Sequence, residues 1–282
     1  MLGDGSNINK SYQIGPHTRK TVSVNEDVGP GKDVSTRIVS NVPLACERPQ
    51  YQDYRGFAVD GHNAVGAPSP MKSWQFAEGT TKQGFEEWLT IQNPGALEAN
   101  VKFTYMNGEG KVTTAMRAVP PRSRATVKVV EDVGDAQDIS ATVESDQPIV
   151  AERPMYFNYG GTWDGATNAM GEVSSSRTFY IAEGCTLADF RTFYCIQNAN
   201  NSDARIRVTY MLGDGAQVRR DYTVRARSRL TVNVNDPDSG VGPGQNISSK
   251  VTSSVPVTIE RPMYFNCDGY VGGHVGSAYG ID

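Results

Sequence analysis

The feature that most constrains this sequence is an internal repeat of about 105 residues. Three related strings follow one another at steps of 105 and 108 residues: ERPQYQDY (47–54), ERPMYFNY (152–159) and ERPMYFNC (260–267). The block FAEGTTKQGFEEWLTIQN (76–93) recurs once, as IAEGCTLADFRTFYCIQN (181–198). Because self-similarity at a fixed period marks a repeat architecture, we expect successive copies of one folding unit.

Each copy is patterned for short antiparallel strands. The string NVKFTY at 100–105 alternates apolar and polar side chains, and RIRVTY at 205–210 repeats the alternation. A period of two over β-branched and aromatic residues is typical of half-buried strands. The NGEG and LGDG turns suit tight hairpins, since glycine adopts positive φ without strain. About seven strands per copy predict an all-β fold of tandem immunoglobulin-like antiparallel β-sandwich repeats.

The same pattern predicts the division of the chain. We expect an incomplete sandwich repeat, a junction, a complete repeat, a second junction, a second complete repeat and a junction-like tail, at 1–53, 54–73, 74–158, 159–178, 179–266 and 267–282. The junctions keep aromatic residues and a matching NAVG or NAMG, which a flexible linker would not need. We therefore expect ordered junctions that pack one sandwich against the next, as in a stiff rod.

Met1 occupies the repeat position of Met106 and Met211. Residues 1–53 would then carry only the later four strands of a sandwich, with an exposed apolar face and unpaired strand edges. We expect that strands from upstream sequence or from a neighbouring chain complete this unit. On this interpretation Met1 is not where the natural polypeptide begins.

The repeat string FAEGTT…FEEWLTIQNPG…VKFTYMNGEGK…SRATVKV…ERPMYFNY resembles tandem repeats of large extracellular proteins from Actinobacteria and Chloroflexi-type bacteria, which are domains of unknown function. The resemblance covers 74–157 and 179–265 in full and 1–53 in part. It implies a surface, adhesive or cell-wall-associated module, and it brings no catalytic residues with it.

Composition excludes several classes of function. A net charge of −4 gives no general attraction to nucleic acid, and no apolar run reaches the length that spans a bilayer. No Ser-His-Asp, metal-ligand or phosphate-loop pattern is present. The Glu and Arg of each Glu-Arg-Pro triplet are adjacent on a strand, so they point to opposite faces and favour contacts at domain boundaries over a shared active site. We expect no enzyme activity, no metal and no cofactor.

The four cysteines suggest two hypotheses. Cys185 and Cys195 appear together in the last copy, where the middle copy has threonines, and they are candidates for a disulfide or for two buried free thiols. Cys46 and Cys267 are about two repeats apart, so they could meet only between subunits stacked end to end.

Two further groups of side chains are candidate contact residues. Aromatic residues near the junctions could seal one repeat against the next or stack on sugar rings: Tyr54, Phe57, Trp74, Tyr159, Trp163 and Tyr270. Five arginines crowd one hairpin of the last copy and form either a solvated turn or a docking site for an anionic surface: Arg219, Arg220, Arg225, Arg227 and Arg229.

These observations together predict an extracellular structural protein of a bacterial surface, a homopolymer that forms a rod, filament or sheath through head-to-tail contacts. Strands of a neighbouring subunit could complete the first repeat by β-augmentation. The alternative function is a glycan- or surface-binding array that belongs to a longer cell-surface protein.

Overall fold

A computed structural model describes residues 1–56 and 58–281, and within them almost all regular structure is antiparallel strand. The incomplete first repeat contains a single helical turn, α1 (Val24–Val28), and one hairpin, β1 (Glu47–Tyr54) with β2 (Ala58–Val65). The predicted fold class, all-β with tandem antiparallel sandwiches, is confirmed.

The second repeat is a complete sandwich. Its elements are β3 (Met71–Phe76), β4 (Phe85–Asn93), β5 (Ala99–Asn107), β6 (Val112–Val119), β7 (Ser123–Lys128), α2 (Val129–Val133), β8 (Ile139–Tyr159) and β9 (Trp163–Met170). The first half of β8 pairs with β3 and β5, and its second half pairs with β4 and β9. One long strand therefore belongs to both sheets, and the apolar core lies between them.

The third repeat follows the same plan. Its strands are β10 (Ser176–Cys185), β11 (Phe190–Asn198), β12 (Ala204–Leu212), β13 (Gln217–Val224), β14 (Ser228–Asn233), β15 (Asn246–Cys267), β16 (Tyr270–Ser277) and β17 (Tyr279–Gly280). The long strand β15 pairs with β10 and β12 in one sheet and with β11 and β16 in the other. A second apolar core fills this sandwich.

The segments predicted as junctions, and the predicted tail, contain the strand that follows the Glu-Arg-Pro strand of each repeat. Both β2 and β9 pair along their full length with the Glu-Arg-Pro strand that precedes them, and β16 in the tail does the same. The aromatic and NAVG or NAMG residues of these segments are therefore parts of a sheet, and they position one repeat against the next.

The first repeat keeps the repeat register but not the strands expected for it. The bridge between Leu2 and Val34 lies 105 residues before the pairing of Asn107 with Ile139. Of the four strands expected within 1–53, the described residues form only β1. The reason is a missing partner, because β7 in the second repeat pairs with β4, and the first repeat has no copy of β4.

Apolar side chains of the first repeat are exposed where their counterparts are buried. Ile38 is 61% exposed, whereas Val143 at the same repeat position is fully buried. Leu44 is likewise exposed, and its counterpart Ile149 is buried. This segment thus presents an apolar face that the complete repeats cover with strands of their own.

Hydrogen exchange should separate the two kinds of repeat. Amides of 18–23 should exchange quickly, because they lack a strand partner, whereas those of 123–128 should be protected by pairing with β4. Mass spectrometry of the deuterated chain measures both segments in one sample. Equal protection of the two segments in a monomeric sample would contradict this description of the first repeat.

Candidate functional site

The Glu-Arg-Pro strands meet at the boundaries between repeats. In the first two copies the arginine binds the glutamate of the copy that follows: Arg48 contacts Glu152, and Arg153 contacts Glu260. Because neighbouring side chains of a strand point to opposite faces, one strand can offer its arginine to one repeat and its glutamate to the other. The triplet therefore acts as a two-sided connector.

Arg153 is the centre of the more buried boundary. Its Nη1 donates to Glu260 Oε2 at 2.8 Å and to the carbonyl oxygen of Glu78 at 2.6 Å, and its Nη2 donates to Glu260 Oε1 at 3.1 Å. The backbone N–H of Glu78 also donates to Glu260 Oε2, at 2.7 Å. Arg153 is fully buried, so this bidentate contact is made in a region from which water is excluded.

Burial governs the titration of this cluster. It raises the pKa of Glu78 to about 7 even though Arg153 favours the charged form, and it raises the pKa of Glu87 to about 8. Burial opposes the charge on Arg153, but Glu260 and Glu78 outweigh it and raise the arginine pKa. Burial thus favours the protonated form of Glu87, while the two neighbouring carboxylates favour the charged form of Arg153.

The boundary between the first and second repeats is the exposed version of the same contact. Arg48 donates to both carboxylate oxygens of Glu152, at 3.2 and 2.8 Å, and its side chain is 43% exposed. Asn168 Nδ2 donates to Glu152 Oε2 at 2.6 Å and fixes the orientation of the carboxylate. The two boundaries therefore share one geometry and differ in burial.

Aromatic rings close both boundaries. The Tyr54 ring stacks on Tyr156 at 3.8 Å, and at the next boundary the ring of Tyr159 lies 5.0 Å from that of Tyr264. Trp163 stacks on Tyr159, and the guanidinium of Arg191 in the third repeat lies over its ring. Phe85 and Phe157 complete the cluster around Tyr264.

The strands that follow the Glu-Arg-Pro strands, β2, β9 and β16, pack closely together. The backbone N–H of Ala166 donates to Asp60 Oδ2 at 3.0 Å, and that of Val275 donates to Thr167 Oγ1 at 3.4 Å. A Cβ at Gly273 would lie 2.6 Å from a Phe157 ring carbon, so only glycine allows this approach. Residues of the first and third repeats thus both contact β9.

Polar contacts outside the triplets also hold the second and third repeats together. Gln197 Nε2 donates to the carbonyl oxygen of Ala141 and to Thr142 Oγ1, each at 3.1 Å. Thr258 Oγ1 donates to Gln75 Oε1 at 2.7 Å. These hydrogen bonds fix the rotation of one sandwich relative to the other.

The structure describes all four cysteines as free. Cys185 lies opposite Asn246, whereas Cys195 lies opposite Glu260, fourteen positions further along β15. The two candidates for a disulfide therefore sit on different sheets and are not bonded, and both are buried thiols.

The second cysteine pair is not brought together within the chain. Cys46 immediately precedes β1 of the first repeat, and Cys267 ends β15 of the third. Partial burial raises the pKa of the Cys267 thiol, and Asp268 and Cys185 add smaller contributions. Whether Cys46 and Cys267 meet between subunits stays a prediction.

The arginines of the last hairpin do not form one patch. Arg219 and Arg225 are exposed, but Arg220 donates to the carbonyl oxygens of Gly240 and Pro237. Arg229 is buried, and its carbonyl oxygen lies close to Gly108 of the second repeat. Arg227 occupies a turn with a positive φ, and the five arginines differ in exposure and in hydrogen-bond partners.

The remaining aromatic candidates divide between core and surface. Trp74 is buried in the core of the second repeat, where its Nε1 donates to the carbonyl oxygen of Ile149 at 2.9 Å. Tyr270 is 75% exposed at the start of β16. Phe57 lies outside the described residues.

The triplet pattern predicted a boundary contact for Glu260, but sequence reasoning did not single out Glu78 and Glu87, the other acidic residues near Arg153. Glu78 stands in the repeated AEG string, as does Glu183 in the next copy, and that recurrence was the available signal. Glu87 has no such signal, because the next copy has Thr192 at that position. The described residues hold no cluster of His, Cys, Asp and Glu suited to a metal, and none of their helices is long and apolar enough to cross a membrane.

No protein-family model and no curated protein matches the chain. The crystal structure of Thermotoga maritima 1070 aligns with 17% identity over 38% of this chain and 96% of its own length, with a TM-score of 0.35. The Anabaena sensory rhodopsin transducer aligns with 21% identity over 31% of this chain and 91% of its own length, with a TM-score of 0.28. At these TM-scores neither likeness bears on function.

Proposed function

We propose that this protein is a structural repeat protein that builds a filament or sheath at a bacterial surface, with its Glu-Arg-Pro strands as docking elements. The observation that carries the proposal is the recurrence of one contact at both boundaries, Arg48 with Glu152 and Arg153 with Glu260. Each repeat offers an arginine on one side and a glutamate on the other. Contacts of this heterologous kind give a ring when they close and a filament when they do not.

The burial of the boundary between the second and third repeats supports a structural role. A fully buried arginine with two carboxylate partners is stable only where the surrounding groups are held firmly in place. The aromatic rings around Tyr264 and the glycines of β9 and β16 add tight packing at the same place. The predicted junction aromatics therefore act as seals between repeats in this proposal.

Location at a bacterial surface follows from the resemblance of the repeat to extracellular tandem repeats. The incomplete first repeat supplies a second route to assembly, since its exposed apolar side chains would be covered by strands of a neighbouring copy. Both routes make the chain a homopolymer.

One observation favours the alternative, glycan binding. Tyr51 and Tyr270 are exposed large aromatics on the first and third repeats, and such rings can stack on sugars. Reproducible binding on a glycan array that is lost on Tyr270→Ala but kept on Tyr180→Ala would support this alternative. Tyr180 is the matched control because it is a partly exposed tyrosine elsewhere on the third repeat.

Microscopy and mass measurement of the full chain test the structural proposal. We expect negative-stain images to show ordered particles that grow with protein concentration, and light scattering to give masses above the monomer. Monomers at every concentration, with repeats that reorient independently in X-ray scattering, would overturn the proposal.

A further inference from the structure

The last repeat carries one half of the inter-repeat contact, already in position. Arg261 Nη1 donates to the carbonyl oxygen of Glu183 at 2.7 Å, just as Arg153 Nη1 donates to that of Glu78 at 2.6 Å. Arg153 additionally holds Glu260, whereas Arg261 has no carboxylate from another repeat among the described residues. The guanidinium is thus oriented for a partner of the same kind.

The first repeat carries the other half. Glu47 Oε2 accepts a hydrogen bond from Asn63 Nδ2 at 3.1 Å, as Glu152 Oε2 does from Asn168 Nδ2 at 2.6 Å. Glu152 also binds Arg48, but no arginine in the described part of the chain reaches Glu47. This exposed carboxylate is therefore held in the orientation that its counterpart uses for binding.

The aromatic positions of the inter-repeat contact are likewise divided between the first and third repeats. Tyr51 is 84% exposed, whereas its counterpart Tyr156 is covered by the stacked ring of Tyr54. The repeat position of Tyr54 is filled by Tyr159 in the second copy and by Cys267 in the third. A repeat that followed the third one would place its own Tyr51-type ring against Cys267.

We infer that these two faces bind each other between copies, so that Arg261 of one chain pairs with Glu47 of a second copy of this chain. The inference rests on the proposed function and names its contact. Charge complementarity, the orientation of both side chains and continuity with two boundaries of the same geometry all favour a second copy as the occupant. It assigns assembly to the Glu-Arg-Pro faces rather than to strand complementation of the first repeat.

Single substitutions at the two faces test the inference in the full chain. Glu47→Arg removes the acidic face and Arg261→Gln the basic face, and each should weaken self-association measured by sedimentation velocity by about tenfold or more. Glu109→Arg and Arg205→Gln change exposed residues outside the Glu-Arg-Pro strands and should leave association unchanged. Thermal unfolding confirms that each variant is folded.

Mixing the two variants gives a sharper result. One intact face survives on each chain, so an equimolar mixture should form dimers and nothing larger. If both variants and their mixture assemble as the wild-type chain does, the inference is overturned. The structural proposal then stands, with strand complementation as its route. A wild-type chain that stays monomeric at all concentrations would overturn both.

Cross-linking locates the contact independently. Tyr51→Cys places a thiol beside the position that the inference gives to Cys267 of the preceding copy, and a short bismaleimide should join the two thiols between chains. Tyr51→Ser and the double variant Tyr51→Cys/Cys267→Ser should lose this product in peptide mass spectrometry. Products from an assembled sample that join the new thiol only to Cys46 or Cys185 would contradict the inference.

Discussion

Arg153→Met should reduce the free energy of unfolding by about 3–5 kcal/mol, because it leaves Glu260 and Glu78 buried without their cation. The methionine fills a similar volume, so the loss reports charge and hydrogen bonding more than packing. Calorimetry of the full chain measures it, and the transition that moves should be the one shared by the second and third repeats.

The chain supplies its own control for this prediction. Arg48→Met removes the same contact at the exposed boundary, where both side chains are partly in water, and it should cost about 1 kcal/mol or less. Equal losses for the two variants would show that burial does not distinguish the two boundaries, and the account of the Arg153 site would be wrong.

A further variant tests whether the charges are needed at all. Replacing both partners in Arg153→Met/Glu260→Met removes the main ion pair and should recover much of the lost stability, because buried pairs can often be exchanged for apolar side chains. Recovery will be incomplete, since Glu78 stays buried beside the new methionines. A double variant as unstable as Arg153→Met alone would mean that Glu260 has another role.

The repeat period predicted more of this structure than the strand pattern did. The register set by Met1 and Met106 holds in the structure, because the Leu2–Val34 bridge and α1 lie 105 residues before the Asn107–Ile139 pair and α2. The strand pattern predicted neither helical turn. The seven strands predicted per copy count 138–145 and 148–157 as two, whereas β8 runs through both segments from one sheet to the other. A bend and a chain reversal use similar residues, so the sequence could not separate them.

The partners of the Glu-Arg-Pro triplets could not be predicted for a different reason. Strand periodicity indicated that Glu152 and Arg153 face opposite ways, but not which repeat each one meets. That choice depends on how whole sandwiches dock, which is set by distributed contacts such as Gln197 to Ala141 and by the glycines of β16. Such contacts leave no periodic pattern in the sequence from which the docking of the sandwiches could be predicted.

Glu87→Gln should stabilise the protein, and the gain should increase with pH. Both carboxyl oxygens of Glu87 are buried without a hydrogen-bond partner among the described side chains, and burial raises the pKa of this carboxyl to about 8. The folded chain therefore keeps a proton that the unfolded chain releases above its ordinary pKa of about 4.5. Unfolding free energy then falls between about pH 5 and 8, by up to about 1.4 kcal/mol per pH unit for this one group.

The amide cannot ionise, so this part of the pH dependence should vanish in Glu87→Gln, while the raised pKa of Glu78 leaves a smaller slope in place. Denaturant unfolding at several pH values between 5 and 9 measures the difference between wild type and variant.

Glu86→Gln is the matched control, because the neighbouring carboxylate points to the other face and binds Tyr54 and Arg55 near solvent. If Glu86→Gln changed the slope as much as Glu87→Gln, the effect could not come from burial of Glu87. Parallel curves for wild type and Glu87→Gln would mean that Glu87 is already ionised in the folded chain at neutral pH, and Arg153 and Arg229 would then have to stabilise its charge.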